Sequence, residues 1–128
     1  MSVDVEIVHT DAAPRAIGPY SQALAAGGVV FLSGQIPLDP ATGELVSQEC
    51  SRQAEQALAN LGAVLAAAGC QRANVAKVTV YLTEIARFAE FNRIYADFFG
   101  SHRPARAVVG VAALPRGAQV EVEALAVR

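Results

Sequence analysis

The hydrophobic and polar positions of this chain follow two periods, and the period of two predicts strands. Residues 3–8 read Val, Asp, Val, Glu, Ile, Val, as an edge strand with one solvated face does. Residues 21–26 and 29–35 are two further strand-like runs, and they flank the glycine pair at 27–28, which predicts a tight hairpin. Residues 75–82 form a β-branched run with the same alternation, so we predict a fourth strand there.

The helical period predicts two helices. Apolar side chains recur at helical spacing over residues 47–68, where Ser47 is the candidate N-cap and Gly69 the C-terminal stop. A second helix is predicted over residues 85–99, ending before Gly100. Its apolar stripe consists of Phe88, Phe91, Ile94, Tyr95 and Phe98.

The last two strands are predicted to form an antiparallel hairpin. Residues 105–111 and 119–127 are strand-like runs, and the proline and glycine within residues 112–117 mark a turn between them. The predicted element order is therefore βββαβαββ, in one domain over residues 1–128. This order indicates an α+β fold in which two helices cover one face of a mixed sheet of about six strands.

Two helices leave the other face of such a sheet uncovered. Residues 29–32 and 107–109 are apolar at every position, which is typical of strands buried on both faces. An exposed apolar face on the order of several hundred Å² is a liability in a soluble monomer. We therefore predict a closed homo-oligomer with ligand pockets at the subunit edges.

Composition limits the class of protein. Hydrophobic residues make up 53% of the chain, which excludes a disordered protein, and the net charge of −2 disfavours nucleic acid as the main partner. The first six residues carry acids where a secretory signal needs basic and then apolar residues, and no apolar run is long enough to cross a bilayer. We expect a soluble, cytoplasmic protein with no membrane partner.

Cysteine and histidine predict neither a disulfide nor a metal site. Cys50 and Cys70 fall near opposite ends of the first predicted helix, roughly 30 Å apart at a rise of about 1.5 Å per residue, so they cannot bridge within one chain. We interpret both as unpaired thiols. His9 and His102 are far apart in sequence and lack further ligands, so we predict no bound metal.

One cation interrupts an apolar strand. Arg106 lies between alanines in the run 104–111, and the closing strand carries Glu121 and Glu123 between valines. Taking a cation out of water costs on the order of several kcal/mol of free energy unless an anion compensates its charge. In the predicted hairpin Arg106 is opposite or diagonal to these carboxylates, so either a cross-strand ion pair or a pocket for a small carboxylate accounts for it.

Several blocks together resemble the RidA (YjgF-like) family of reactive-intermediate deaminases. They are residues 16–20 (AIGPY), 33–37 (SGQIP), 88–92 (FAEFN), 104–106 (PAR) and 120–124 (VEVEA). The resemblance covers nearly the whole chain in order. It implies a chorismate-mutase-like two-layer fold, a homotrimer whose sheets form a central barrel, and pockets between subunits.

The resemblance also implies an activity and its catalytic residues. Members of the family that have the arginine hydrolyse 2-iminobutanoate and 2-iminopropanoate to the 2-keto acid and ammonia. By this likeness Arg106 binds the substrate carboxylate and Glu121 positions the attacking water. Such an arrangement is chemically reasonable, because a fixed imine and a carboxylate that orients water and takes its proton suffice for hydrolysis. A protonated imine is already electrophilic, so no cofactor is expected.

Four further residues match the family's pocket, and Val108 occupies a fifth pocket position with a different side chain. The resemblance implies that Tyr20 walls the alkyl group of the substrate, that Ser33 and the backbone of Gly34 form the pocket edge, and that Asn92 lies on the second helix near the pocket. From the residues alone, Tyr20, Ser33 and Gly34 equally suit turns, and Asn92 suits a hydrogen bond to buried backbone. Well-known deaminases of the family carry Ser and Cys directly after the arginine, where this chain has Ala107 and Val108. Thiol chemistry is therefore absent at that place, while the backbone carbonyl of Val108 remains available to hold water.

Other functions suggested for relatives remain alternatives. One is a non-catalytic protein that binds small carboxylates, and another is a holdase-like chaperone. A third is an endoribonuclease. The ribonuclease interpretation is weakened because nine of the ten basic residues are arginines scattered along the chain, with no basic stretch or aromatic platform.

Overall fold

The first three strands form an antiparallel meander. In the computed structural model, which describes residues 4–128, β1 (Val5–Val8) pairs with β2 (Ala23–Ala26), and β2 pairs with β3 (Val29–Gln35). Gly27 and Gly28 join β2 to β3 with φ values of 58° and 82°, the left-handed conformation that a tight hairpin turn requires. The predicted hairpin is confirmed, while residue 3 of the predicted first strand lies outside the described residues.

The complete sheet is mixed and has six strands. Strands β4 (Val75–Leu82), β5 (Ala105–Gly110) and β6 (Val120–Val127) join the meander in the order β1-β2-β3-β6-β4-β5. Neighbouring strands run antiparallel except β4 and β5, which are parallel. The predicted α+β fold with its element order is confirmed.

The predicted pairing of the last two strands is wrong. Strand β6 pairs with β3 and β4, whereas β5 pairs with β4 alone. The chain crosses over through a helix between β4 and β5, and such a crossover returns it parallel to its starting strand. Residues 111–119 then carry the chain past the end of β4, a lateral step of about 10 Å at the usual strand spacing of roughly 4.8 Å. The proline and glycine of this segment lie in a 3₁₀ turn, Pro115–Gly117, and not in a hairpin loop.

The two helices are α1 (Cys50–Ala67) and α2 (Phe88–Phe99). The predicted N-cap of α1 is wrong, because Glu49 holds that position. The Ser47 hydroxyl accepts a hydrogen bond from the Glu49 N–H at 3.0 Å and so shapes the approach to the helix. The residues predicted as the first turn of α2 form a separate 3₁₀ turn, Ile85–Arg87.

Both helices pack on the same face of the sheet, and the core lies between the two layers. Helix α1 packs on β3 and β6, and α2 packs beside α1. Their buried apolar side chains form one core together with those of β4. A Cβ atom at Gly62 would lie 3.3 Å from the Phe98 ring, so the glycine in α1 allows the close approach of α2. The core is formed mainly by Val30, Leu32, Leu58, Leu61, Val64, Leu65, Val78, Val80, Leu82, Phe91, Val120 and Val122.

The opposite face of the sheet carries exposed apolar side chains in the protomer, most of them at its β1–β3 and β6 side. Phe31 of β3 and Leu125 of β6 are 47% and 37% exposed, and Ile7 and Val127 are more exposed still. The prediction that two helices cover only one face is therefore confirmed for the protomer. No helix within residues 4–128 is long and apolar enough to cross a membrane.

The cysteines and histidines take structural positions. Cys50 and Cys70 are both buried, and they are unpaired as predicted. His102 contacts the Val75 carbonyl oxygen through Nε2 at 2.7 Å, and His9 is exposed beside Asp11.

Candidate functional site

The arginine of β5 points toward helix α2. Arg106 is in register with Val78 of β4, which is fully buried under the helices, so the Arg106 side chain lies on the helix-covered side of the sheet. Its Nη1 donates a hydrogen bond to Oδ1 of Asn92 at 2.7 Å. The neutral amide orients the half-buried guanidinium and leaves its positive charge in place.

Aromatic rings complete the support of this guanidinium. The Cζ atom of Arg106 lies 4.6 Å from the centroid of the Tyr95 ring and 5.5 Å from that of Phe88. A ring face attracts a cation through its quadrupole, so these contacts stabilise the charge without neutralising it. Burial raises the pKa of the Tyr95 phenol, while the positive charges of Arg106 and Arg103 oppose that rise.

Arg106 has no anionic partner among residues 4–128. The ion pairs of this part of the chain involve the arginines Arg87, Arg116 and Arg128, and His9 contacts Asp11. The cross-strand ion pair considered from the sequence is therefore wrong. A guanidinium with polar and aromatic support and no carboxylate partner is suited to binding an anion from outside the protomer.

The cavity beside Arg106 has a volume of about 390 Å³. A second cation, Arg103, also lines it. Arg103 lies on the segment that leads into β5, and sequence reasoning missed it. The available signal was its spacing, three residues before Arg106 across a proline. The lining residues are Asn92, Tyr95, Ala96, Arg103, Pro104 and Arg106.

Glu121 lies on the other face of the sheet. Its neighbours in β6, Val120 and Val122, point into the core, and Glu121 pairs across strands with Tyr81 on the face that the helices leave uncovered. The predicted placement of Arg106 opposite this carboxylate is therefore wrong within one protomer. The physical reason is that β4 separates β5 from β6, and that the two side chains alternate to opposite faces.

Gly34 makes room for the Glu121 carboxyl group. A Cβ atom at Gly34 would lie 2.9 Å from both Cδ and Oε2 of Glu121, closer than real Cβ atoms approach. Burial raises the pKa of Glu121, and the negative charge of Glu123 raises it further. A half-buried carboxyl group with a raised pKa and no ion-pair partner among residues 4–128 is suited to accept a proton from water.

Glu123 has a different partner. The Tyr81 hydroxyl donates a hydrogen bond to Oε1 of Glu123 at 2.7 Å, and this bond is the main reason that the pKa of Tyr81 rises to about 12. The sequence left open whether Glu123 was the structural partner of Arg106. It is not, because the two lie on opposite faces of the sheet.

Two other predicted site residues are connected to Gly34: Ser33 precedes it in the chain, and Tyr20 lies next to Ser21, the hydrogen-bond partner of Ser33. The Ser33 hydroxyl donates to the carbonyl oxygen of Ser21 at 2.6 Å, which holds the loop that carries Tyr20 against β3. The Tyr20 ring is half exposed. Gly34 lies against Glu121, Ser33 precedes Gly34, and the Ser33 hydrogen bond holds the loop next to Tyr20. We call these four residues the β3–β6 group.

Val108 belongs with Arg106 on the edge strand. The Val111 N–H donates to the Leu82 carbonyl, so alternation along β5 directs the carbonyl groups of Arg106 and Val108 away from β4, toward the free edge. The Val108 side chain packs against the core. Arg106, Asn92 and Val108 form the second group, the β5–α2 group.

Comparison with known proteins shows what the chain as a whole is similar to. The family model described as endoribonuclease L-PSP matches residues 10–128. The chain is 52% identical to protein DfrA of Myxococcus xanthus, over 94% of this chain and 93% of that protein. It is 48% identical to the human protein named 2-iminobutanoate/2-iminopropanoate deaminase, over 95% of this chain and 89% of the human one.

A solved structure is similar over nearly the whole fold. The crystal structure of TdcF from E. coli with bound serine superposes with a TM-score of 0.92 at 43% identity, covering 96% of this chain and 98% of that one.

Proposed function

Because this chain belongs to the RidA (YjgF-like) family, we propose that it hydrolyses short 2-imino acids, such as 2-iminobutanoate and 2-iminopropanoate, to 2-keto acids and ammonia. The observation that carries this proposal is the Arg106 guanidinium. It is half-buried, oriented by Asn92, and without a carboxylate partner among residues 4–128. Such a group binds a substrate carboxylate through charge-assisted hydrogen bonds.

In the proposed reaction Arg106 holds the carboxylate and thereby fixes the adjacent C2 atom of the protonated imine. Glu121 accepts a proton from water as the water oxygen forms a bond to C2, which gives a carbinolamine. Glu121 then returns the proton to the nitrogen. The C–N bond breaks with its electron pair on the nitrogen, and Glu121 takes the hydroxyl proton as that oxygen becomes the keto oxygen. Glu121 passes this proton to the ammonia, which leaves as ammonium. One imine and one water are consumed, and one 2-keto acid and one ammonium ion are formed.

We propose that two protomers of a homotrimer build each site. Arg106 and Glu121 lie on opposite faces of the protomer's sheet, so the reaction needs the β5–α2 group of one protomer to meet the β3–β6 group of another. The exposed apolar face around Phe31 and Leu125 supports such an assembly, since packing it against other protomers removes it from water.

The direct test is an imine-decay assay. A threonine dehydratase generates 2-iminobutanoate, and semicarbazide traps the imine that remains. We expect the protein to lower the trapped imine, and we expect Arg106→Ala to reduce kcat/KM by roughly 100-fold or more, because it removes a charge-assisted contact. Arg93→Ala is the matched control, since Arg93 is an exposed arginine of α2. Imine decay that the wild-type protein leaves unchanged would rule out the deaminase.

A second candidate is a non-catalytic protein that binds small carboxylates. It is favoured by the separation of Arg106 from Glu121 in the protomer, because Arg106 alone suffices for binding. Calorimetry with 2-oxobutanoate distinguishes the two functions: binding that Arg106→Ala abolishes, without imine turnover, supports the binding protein. RNA cleavage that persists through ion exchange and is lost in Arg106→Ala would instead support the endoribonuclease that the family description names.

A further inference from the structure

We propose that Arg103 makes the Arg106 cavity selective for 2-imino acids that carry a second, distal carboxylate. This inference rests on the proposed function, because it takes Arg106 as the group that binds the carboxylate next to the imine. Arg103 and Arg106 both line the same cavity of about 390 Å³. The substrate class is therefore a 2-imino diacid of four or five carbons.

The charge of the cavity supports this selectivity. Its lining contains two guanidinium groups and no carboxylate, and neither arginine forms an ion pair within residues 4–128. Arg106 is half-buried and Arg103 is exposed, and two like charges that line one cavity repel each other. A monocarboxylate compensates only one of them, whereas a dicarboxylate compensates both.

Arg103 is anchored in a way that leaves donors free. Its Nη1 donates to the carbonyl oxygens of Gly100 and His102 at the end of α2. The hydrogen bonds within residues 4–128 occupy no other nitrogen of this side chain. The remaining N–H groups of the planar guanidinium are available to a ligand carboxylate.

Size and reach also fit a diacid. A cavity of about 390 Å³ holds roughly a dozen waters at ~30 Å³ each, so it is larger than a three-carbon acid needs. The Cα atoms of the two arginines are three residues apart, at most about 10 Å along an extended chain. Two long side chains from such positions can contact both ends of one small molecule.

The test compares two substrates in the full-length protein. Amino-acid oxidases acting on alanine and on glutamate, with catalase present, generate the mono- and dicarboxylate imines, and semicarbazide trapping follows their decay. We expect wild-type kcat/KM to be higher for the dicarboxylate. Arg103→Met should lower the ratio of dicarboxylate to monocarboxylate kcat/KM by about 10-fold or more, mainly through KM, and Arg103→Lys by less. Arg93→Met, which removes an exposed charge of α2, is the control.

The outcomes separate this inference from the proposed function. If neither imine is hydrolysed, the proposed function fails. If the monocarboxylate imine is hydrolysed and the ratio does not respond to Arg103→Met, the role of Arg103 is overturned while the deaminase stands. Calorimetry gives a readout independent of turnover: we expect 2-oxoglutarate to bind more tightly than 2-oxobutanoate, and Arg103→Met to remove the difference. Equal binding of the two acids by the wild type would also overturn the proposal.

Discussion

At the scale of single residues, the type of a side chain predicted its chemistry better than it predicted which residues contact it. Arg106 stood out because a guanidinium inside an apolar run requires compensation. Its compensation is the Asn92 amide and the Tyr95 ring, and not the glutamates that the sequence suggested. Tyr95 was predicted only as part of an apolar helix stripe, because a phenol ring at helical spacing gives no sign that a cation lies over it.

A substitution at Gly34 tests whether the activity depends on the position of the Glu121 carboxyl group. We predict that Gly34→Ala displaces the Glu121 carboxyl group, because the new Cβ atom would lie 2.9 Å from it. The expected result is a loss in kcat of about 10-fold or more with less than roughly 1 kcal/mol of lost stability, since the end of a flexible side chain moves and the backbone does not. Imine-decay kinetics and urea unfolding measure the two effects.

Gly110→Ala is the matched control for this prediction. Gly110 is also a strand glycine, but a Cβ atom there would meet Ile85 at 3.6 Å, an ordinary contact distance. Equal losses of kcat in both variants would contradict the specific role of Gly34.

The raised pKa of Glu121 predicts the acid limb of the pH–rate profile. Glu121 must be deprotonated to accept a proton from water, so kcat/KM should fall as the pH drops through this raised pKa. Because the charge of Glu123 contributes to the rise, Glu123→Gln should move the acid limb to lower pH. A profile that does not move would show that Glu121 is not the titrating base.

The raised pKa of Glu121 also affects stability, and its contribution to stability is largest at low pH, where the activity is lowest. A carboxyl group whose pKa is higher in the folded than in the unfolded state favours folding at low pH, and this contribution is lost as the pH rises through the folded pKa. Glu121→Gln should therefore increase the free energy of unfolding above that pKa relative to the wild type.

At the scale of elements, helix α2 positions the candidate site from the covered side of the sheet. Its periodicity identified it and its end at Gly100, but the apolar stripe gave no information on which strand lies beneath it. The helix begins later than predicted because residues 85–87 take the tighter 3₁₀ turn. Asn92, which resembled a family residue, lies on the face of α2 that reaches Arg106.

Asn92 links this helix to the guanidinium, and two substitutions separate its effects. Asn92→Ala should raise KM several-fold, while stability changes by about 0.5 kcal/mol or less because alanine favours the helix. Asn92→Asp places a carboxylate at the same distance from Arg106 and should raise KM further, since it competes with the substrate carboxylate. High salt should reduce the difference in KM between Asn92→Asp and Asn92→Ala, because it screens the charge of the introduced carboxylate. A KM that is lower in Asn92→Asp than in the wild type would contradict the role of Arg106 as the carboxylate-binding group.

At the scale of the whole molecule, the distribution of the candidate residues over two faces determines the assembly that the chemistry needs. The β5–α2 group and the β3–β6 group are separated by strand β4 and by the sheet itself. The uncovered face carries the exposed side chains Phe31 and Leu125. Both facts support the proposed homotrimer.

Complementation between inactive variants tests for a shared site. Arg106→Ala and Glu121→Gln should each be inactive alone. If every site takes Arg106 from one protomer and Glu121 from the next, randomly mixed trimers from coexpression should recover roughly a quarter of the wild-type activity. A site contained in one protomer would give no recovery. Light scattering provides the mass of the assembly, and a monodisperse monomer at micromolar concentration would contradict the proposal.

The sequence by itself determined the type and approximate extent of the helices and strands, the two-layer class and the residues with unusual chemistry. These features depend on local periodicity, on turn-forming glycines and on the cost of placing a charge in an apolar run. Only the tertiary structure decided which strands are neighbours, and therefore that Arg106 and Glu121 face opposite sides of the sheet. Strand pairing depends on contacts between distant segments. The crossover through α2 and the insertion of β6 between β3 and β4 outweigh the local turn signal at residues 112–117.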